Sequence, residues 1–163
     1  MTQTCSVGDE AETVLGALQV MVGIADASVE RVIGELTLTQ FRALRIVVEQ
    51  TPITLSRVAE QVGVNPSSMT RACDRLVAED LLRKAPNPLN KRETLLAPTA
   101  HGRQIVQRVH TDRLGALTAV LDRLDPAERA GVVRAMERFA TAAEFLRDAN
   151  NLPESGWGGS PPS

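Results

Sequence analysis

From Asn65 to Arg75 the chain reads Asn-Pro-Ser-Ser-Met-Thr-Arg-Ala-Cys-Asp-Arg, so short hydroxyl and amide side chains precede two guanidinium groups. Asn65, Ser67, Ser68 and Thr70 can exchange short hydrogen bonds, and Arg71 and Arg75 can form forked bonds with phosphate or other paired acceptors. Further on, Arg83, Lys84, Lys91 and Arg92 bring four positive charges with no acid between the first and the last. Both sets suit the binding of an anion. Bond-breaking chemistry has no comparable support, because no glycine-rich phosphate loop, dinucleotide fingerprint, zinc-protease motif or nucleophile elbow occurs. His101 and His110 stand nine residues apart, about 900° of helix rotation, and so point to opposite sides of a helix. Cys5 and Cys73 belong to no metal-type pair. No enzyme activity, cofactor or resident metal is expected.

The elements that must position these groups follow from apolar spacing. Val14, Leu18, Val22, Ala25, Val29, Val32, Ile33 and Leu36 recur every three or four residues, the stripe of one long amphipathic helix. A second helix covers the run TQFRALRIVVEQ, with Thr39 as its expected cap and Pro52 just beyond it. A short third helix starts after Thr54, buries Leu55, Val58, Ala59 and Val62, and stops at Gly63. Asn65 as cap and Pro66 as first helical residue open a fourth helix, expected to run to about Asp80. On it Met69, Ala72, Cys73 and Leu76 share one face, and Ser67, Arg71, Asp74 and Arg75 share the other.

The segments LLRKAP and ETLLAP, around the polar tip NPLNKR, read as an exposed two-stranded ribbon, since Pro86 and Pro98 fit poorly in central strands. Thr99 caps a long helix with the stripe Ile105, Val106, Val109, Leu117, Val120, Leu121 and Leu124. Asp125-Pro126 opens the last helix, striped by Val132, Val133, Met136, Phe139, Ala140, Ala143 and Leu146. The segment NNLPESGWGGSPPS, with Trp157, has turn formers and no period, and is expected to be disordered.

Length and charge set the frame. The 163 residues suit one domain, and 43% hydrophobic with 23% charged content suits a soluble protein. No uninterrupted apolar run approaches a membrane span, so a cytoplasmic protein without a membrane partner is expected. The net charge of −2 conceals a division: one basic residue against six acidic in residues 1–36, twelve against seven in 37–113, and five against seven thereafter. The basic middle can attract a polyanion even though the whole chain is slightly acidic.

Helix, tight turn, helix and basic ribbon, enclosed by long terminal helices, form a winged helix-turn-helix arrangement, mainly α with a small β-hairpin. In such an arrangement the second helix enters the DNA major groove by its N-terminal end. The succession LTLTQFRALRIVVEQTPITLSRVAEQVGVNPSSMTRACDRLVAEDLLRKAPNPLNKRETLLAPTAHG resembles the DNA-binding core of the MarR (multiple antibiotic resistance regulator) family over residues 36–105. The family's wing motif, Asp-x-Arg followed by Leu-Thr-x-x-Gly, is represented by Asn90-Lys91-Arg92 and by Pro98-Thr99-Ala100-His101-Gly102. Asn90 in place of the acid removes the ion pair that would orient Arg92, and Pro98 in place of Leu removes one apolar contact.

The resemblance implies a homodimeric regulator of transcription, often a repressor, whose affinity for double-stranded DNA responds to a small molecule or oxidant. The long terminal stripes independently favour a dimer, which would read a pseudo-palindromic operator. The expected division is a flexible N-terminus (1–9), an N-terminal dimerisation helix (10–36), a winged helix-turn-helix domain (37–98), C-terminal dimerisation helices (99–149) and a disordered tail (150–163). The expected DNA contacts are Asn65, Ser67, Ser68, Thr70, Arg71, Arg75, Lys91 and Arg92. A ligand cavity is implied by the resemblance alone, and Phe41 and Phe139 are expected in core packing. The competing readings are a winged-helix module that binds protein and a regulator that senses oxidant through a cysteine. Cys73, on the inward face of its helix, and Cys5, among acids, are both weak sensors by their surroundings.

Overall fold

The computed structural model describes residues 6–34 and 36–150. Cys5, Trp157 and the tail from residue 151, together with the side chains of Val32, Ile33 and Leu146, lie outside what is described.

Helix α1 (Val7–Ile33) begins three residues earlier than expected, because Ser6 and Asp9 form a capping box: Ser6 Oγ accepts from Asp9 N–H and the Asp9 carboxylate accepts from Ser6 N–H. Residues 7–9 are therefore helical. Helix α2 (Leu38–Gln50) is capped by Thr37, not Thr39, again through a capping box, with Gln40 reaching back to Thr37 N–H at 2.7 Å. Strand β1 (Ile53–Thr54) leads into α3 (Leu55–Val62), where Thr54 caps the start and Gly63, at φ +75°, supplies the left-handed stop. Helix α4 (Pro66–Ala78) opens at Asn65 and ends two residues before Asp80.

Strands β2 (Leu82–Asn87) and β3 (Asn90–Pro98) form the hairpin, and α5 (Ala100–Leu121) and α6 (Pro126–Asn150) complete the chain. Asn150, expected as the first residue of the tail, is still part of α6. The sheet has three strands, not two, in the order β1-β3-β2 and antiparallel throughout. β3 is thus central. Pro86 sits on an edge strand, as its missing N–H favours, and Pro98 occupies the last position of the central one, opposite Leu82.

One continuous core lies beneath α4 and the sheet, built from Phe41, Leu44 and Val47 of α2, Val58 of α3, Met69, Cys73 and Leu76 of α4, Leu82 and Leu96 of the sheet, and Ile105 and Val109 of α5. The terminal helices behave differently. Ala25 and Val29 of α1 are buried, but Val14, Leu18 and Val22 on the same stripe are exposed. Leu117 and Val120 of α5 and Val132, Val133, Met136 and Phe139 of α6 are exposed as well. Phe41 is a core residue as expected, whereas Phe139 is 56% exposed and belongs to no buried cluster among the described residues. By length and composition the stretch Val7–Arg31, with a window of mean hydropathy 1.3, could cross a membrane, which the count of uninterrupted apolar residues did not anticipate. Its C-terminal part is fastened to α5 by an Arg31–Asp112 ion pair at 3.2 Å and by Arg113, which donates to the Ala25 carbonyl at 3.4 Å.

Candidate nucleic-acid interface

Helix α4 is divided as its spacing predicts. Met69, Cys73 and Leu76 are fully buried, and Asn65, Ser67, Ser68, Thr70, Arg71 and Arg75 are all exposed. Local hydrogen bonds then sort the exposed groups. Asn65 Oδ1 accepts from Ser68 N–H and from Ser67 Oγ, each at 2.8 Å, and Thr70 Oγ1 donates to the Pro66 carbonyl at 2.8 Å. The hydroxyl protons of Ser67 and Thr70 are thereby committed, and these oxygens face outward as acceptors. Pro66 has no N–H and the cap uses that of Ser68, so the Ser67 N–H is the backbone donor left at the very start of the helix.

The two arginines differ. Arg71 has no ionic partner among the described residues, whereas Arg75 Nε pairs with Glu79 at 3.1 Å, one turn along. An exposed i,i+4 pair of this kind is worth about 0.3–0.5 kcal/mol.

The hairpin's four cations also separate. Lys84 is half-buried and pairs with Asp74 of α4, so its charge serves to tie β2 to the fourth helix. Arg83, Lys91 and Arg92 are exposed. The turn residues order the end of the ribbon: Asn87 Nδ2 donates to Glu93 at 2.8 Å, Asn87 Oδ1 accepts from Leu89 N–H at 3.0 Å, and Asn90 Oδ1 accepts from Arg92 N–H at 3.2 Å. The sequence reading missed the Lys84–Asp74 and Arg75–Glu79 pairs. The second was detectable as an i,i+4 spacing of opposite charges, and the first joins separate elements with no local signal.

This arrangement has counterparts. The MarR family model matches residues 36–94. RV1404 from Mycobacterium tuberculosis, known from a crystal structure, is 36% identical, with 87% of this chain and 97% of that one covered at a TM-score of 0.78. The chain belongs to the MarR family. The multiple antibiotic resistance protein MarR from Escherichia coli K12 is 33% identical over 79 residues, so the match spans about half of that relative's length (53%) and 47% of this chain. FabT from Streptococcus pneumoniae, solved in complex with DNA, is 13% identical and shares the fold, with 85% of this chain and 99% of that one covered at a TM-score of 0.66. The fold is thus the winged-helix DNA-binding fold of MarR-family transcriptional regulators.

Within this MarR-family chain, Asn90 replaces the acid of the wing motif, and its bond to the Arg92 backbone supplies an anchor that needs no charge. Cys73 has no exposure, and desolvation by burial, only partly opposed by Lys84, pushes its thiol up to about 11. Phe41 lies under the guanidinium of Arg113, 6.0 Å from ring centroid to Cζ, and burial followed by repulsion from Arg45 lowers Arg113 from its ordinary value against the pull of Asp26. Nearby, where α1 gives way to α2, a cleft of about 360 Å³ is lined by Asp26, Val29, Glu30, Gly34, Leu36 and Leu38. Neither Phe41 nor Phe139 lines it.

Proposed function

We propose that the protein is a homodimeric, sequence-specific regulator that binds double-stranded DNA, acts as a repressor from the cytoplasm, and performs no catalysis. One observation carries this reading: the exposed polar face of α4, from Asn65 to Arg75, stands on a fully buried apolar face and is tied through Asp74 and Lys84 to a hairpin that carries the exposed cations Arg83, Lys91 and Arg92. A helix held that way can be pressed into a groove without rearranging. The Ser67 N–H and the Ser68 hydroxyl would meet phosphate, Arg71 and Arg75 base edges or phosphate, and Lys91 and Arg92 the adjacent minor groove. Asn65 and Thr70 chiefly set the helix end that presents the others.

A small effector fits the same scheme, with the cleft between α1 and α2 as its place of entry. A ligand that changes how α1 meets α2 would alter the distance between paired recognition helices, and hence DNA affinity.

The test uses a duplex enriched from a random-sequence pool by the full-length protein. Arg71→Ala is expected to cost about 1–3 kcal/mol on that duplex and to relax selectivity at the contacted position. Lys91→Ala is expected to weaken binding to all sequences alike and to reduce the log–log salt slope by about one. Full affinity and unchanged slope in both variants would remove this interface from consideration.

A further inference from the structure

The end of the hairpin departs from the usual chemistry of a two-residue turn. Pairing ends at Asn87 opposite Asn90, which leaves Pro88 and Leu89 as the loop. Loops of this length favour Asn-Gly, Asp-Gly or Gly-X, because the turns that match strand twist need positive φ. Proline cannot supply it, and Asp80 is the non-glycine residue with positive φ among the described residues. Types I′, II and II′ are therefore excluded at this tip. A turn of type I character splays its strands, and the register shift between Pro86 and Asn87 accommodates that. Leu89 gains no packing in exchange. It is 95% exposed, more than any other large hydrophobic residue described. A local rule broken without a gain inside the chain points to a role outside it.

The tip also has a firm mount. Leu89 N–H is held by Asn87 Oδ1, Asn87 is held by Glu93, and Arg92 N–H is held by Asn90 Oδ1. Exposed Lys91 and Arg92 stand directly behind it in sequence. An apolar projection backed by two cations complements a minor groove, whose walls are phosphate and whose floor is sugar and base edge.

We propose that Leu89 enters the DNA minor groove and wedges against a base step there, so that the wing reads how easily that step deforms. This rests on the DNA-binding reading above. Leucine is among the side chains that proteins insert between steps, and pyrimidine–purine steps unstack most readily, so a TA or CA/TG step is expected under each wing.

The experiment compares wild type, Leu89→Ala, Leu89→Met and Arg92→Ala, all full length, on the enriched duplex over a salt series. Because Leu89 is exposed, its variants should keep the wild-type thermal midpoint. Leu89→Ala is expected to weaken binding about tenfold with the salt slope unchanged, and Leu89→Met to restore most of the loss. 2-Aminopurine placed at the step under the wing should brighten on binding wild type and stay dim with Leu89→Ala. Arg92→Ala should instead lower the slope by about one. Affinity of Leu89→Ala within about twofold of wild type, or a loss accompanied by the lowered slope of Arg92→Ala, overturns the wedge and leaves DNA binding standing. Failure of the wild type to enrich any duplex overturns both.

Discussion

Cys73 shares the buried cluster under α4 with Met69 and Leu76, and burial raises its thiol from 9.0 to about 11. At neutral pH the thiolate fraction is then about one in ten thousand, so the side chain acts as a small apolar group and oxidant sensing at this position is disfavoured. A stability effect follows from the same shift. Between the unfolded and folded values the unfolded chain releases the proton while the native one keeps it, so stability falls as pH rises. The contribution is complete below about 9 and lost by about 11, roughly 3 kcal/mol across the window. Urea unfolding of Cys73→Ala beside wild type, under reducing conditions, checks this: the variant should be less stable at pH 7 and lose less between pH 9 and 10.5. Parallel curves would show that the thiol's proton is not coupled to folding.

The start of α5 is the joint between the layer of α4 and the sheet and the long C-terminal helices. Thr99 Oγ1 donates to the Asp80 carbonyl at 2.6 Å and accepts from Gly102 N–H at 2.9 Å, while Thr99 N–H donates to the Leu81 carbonyl at 3.1 Å. A Cβ on Gly102 would lie 2.2 Å from the Leu81 carbonyl oxygen and 3.1 Å from Leu44 Cδ1, contacts that backbone cannot yield to cheaply. Gly102→Ala should therefore destabilise the fold by about 2 kcal/mol despite the better helix propensity of alanine, a loss that chemical denaturation measures. The position also shows the limits of reading a sequence. Thr99, Asn65, Thr54 and Asp125 were legible as helix starts because a cap is a local hydrogen bond, and Gly63 as a stop because left-handed backbone favours glycine. The Ser6 and Thr37 capping boxes are local signals of the same kind, but the apolar stripe of α1 and the nearby Thr39 compete with them in the sequence. β1 was not legible: two residues show no alternation, and their strand character depends on β3 arriving beside them. The near contact at Gly102 and the Lys84–Asp74 tie likewise exist only once distant segments meet. At the candidate interface the outward residues of α4 followed from a 100° rotation per residue, while the roles of Lys84 and Leu89 needed the folded hairpin.

At the scale of the molecule, the described residues leave much of the terminal helices uncovered. Helix α6 spans 25 residues and none of its described side chains is buried, although an isolated helix of such a sequence is marginal in water. Val14, Leu18 and Val22 of α1 and Leu117 and Val120 of α5 add further exposed apolar surface, more than a solitary soluble chain normally leaves open. A second copy with the same faces can close all of them by a two-fold axis, and that axis would set the two α4 helices about one DNA turn, roughly 34 Å, apart. The full-length protein is accordingly expected to sediment as two chains at micromolar concentration. Leu18→Glu combined with Phe139→Glu places a charge on each face at positions already 49% and 56% exposed, so the core and wing should fold while the pair separates. The separated chain should retain weak, salt-sensitive DNA binding but lose at least about a hundredfold in affinity for the enriched duplex, because the second half-site is no longer held at high effective concentration. Sedimentation and DNA titration on the same samples decide the matter: a wild type that runs as one chain, or a double variant that still runs as two, excludes these faces as the dimer contact.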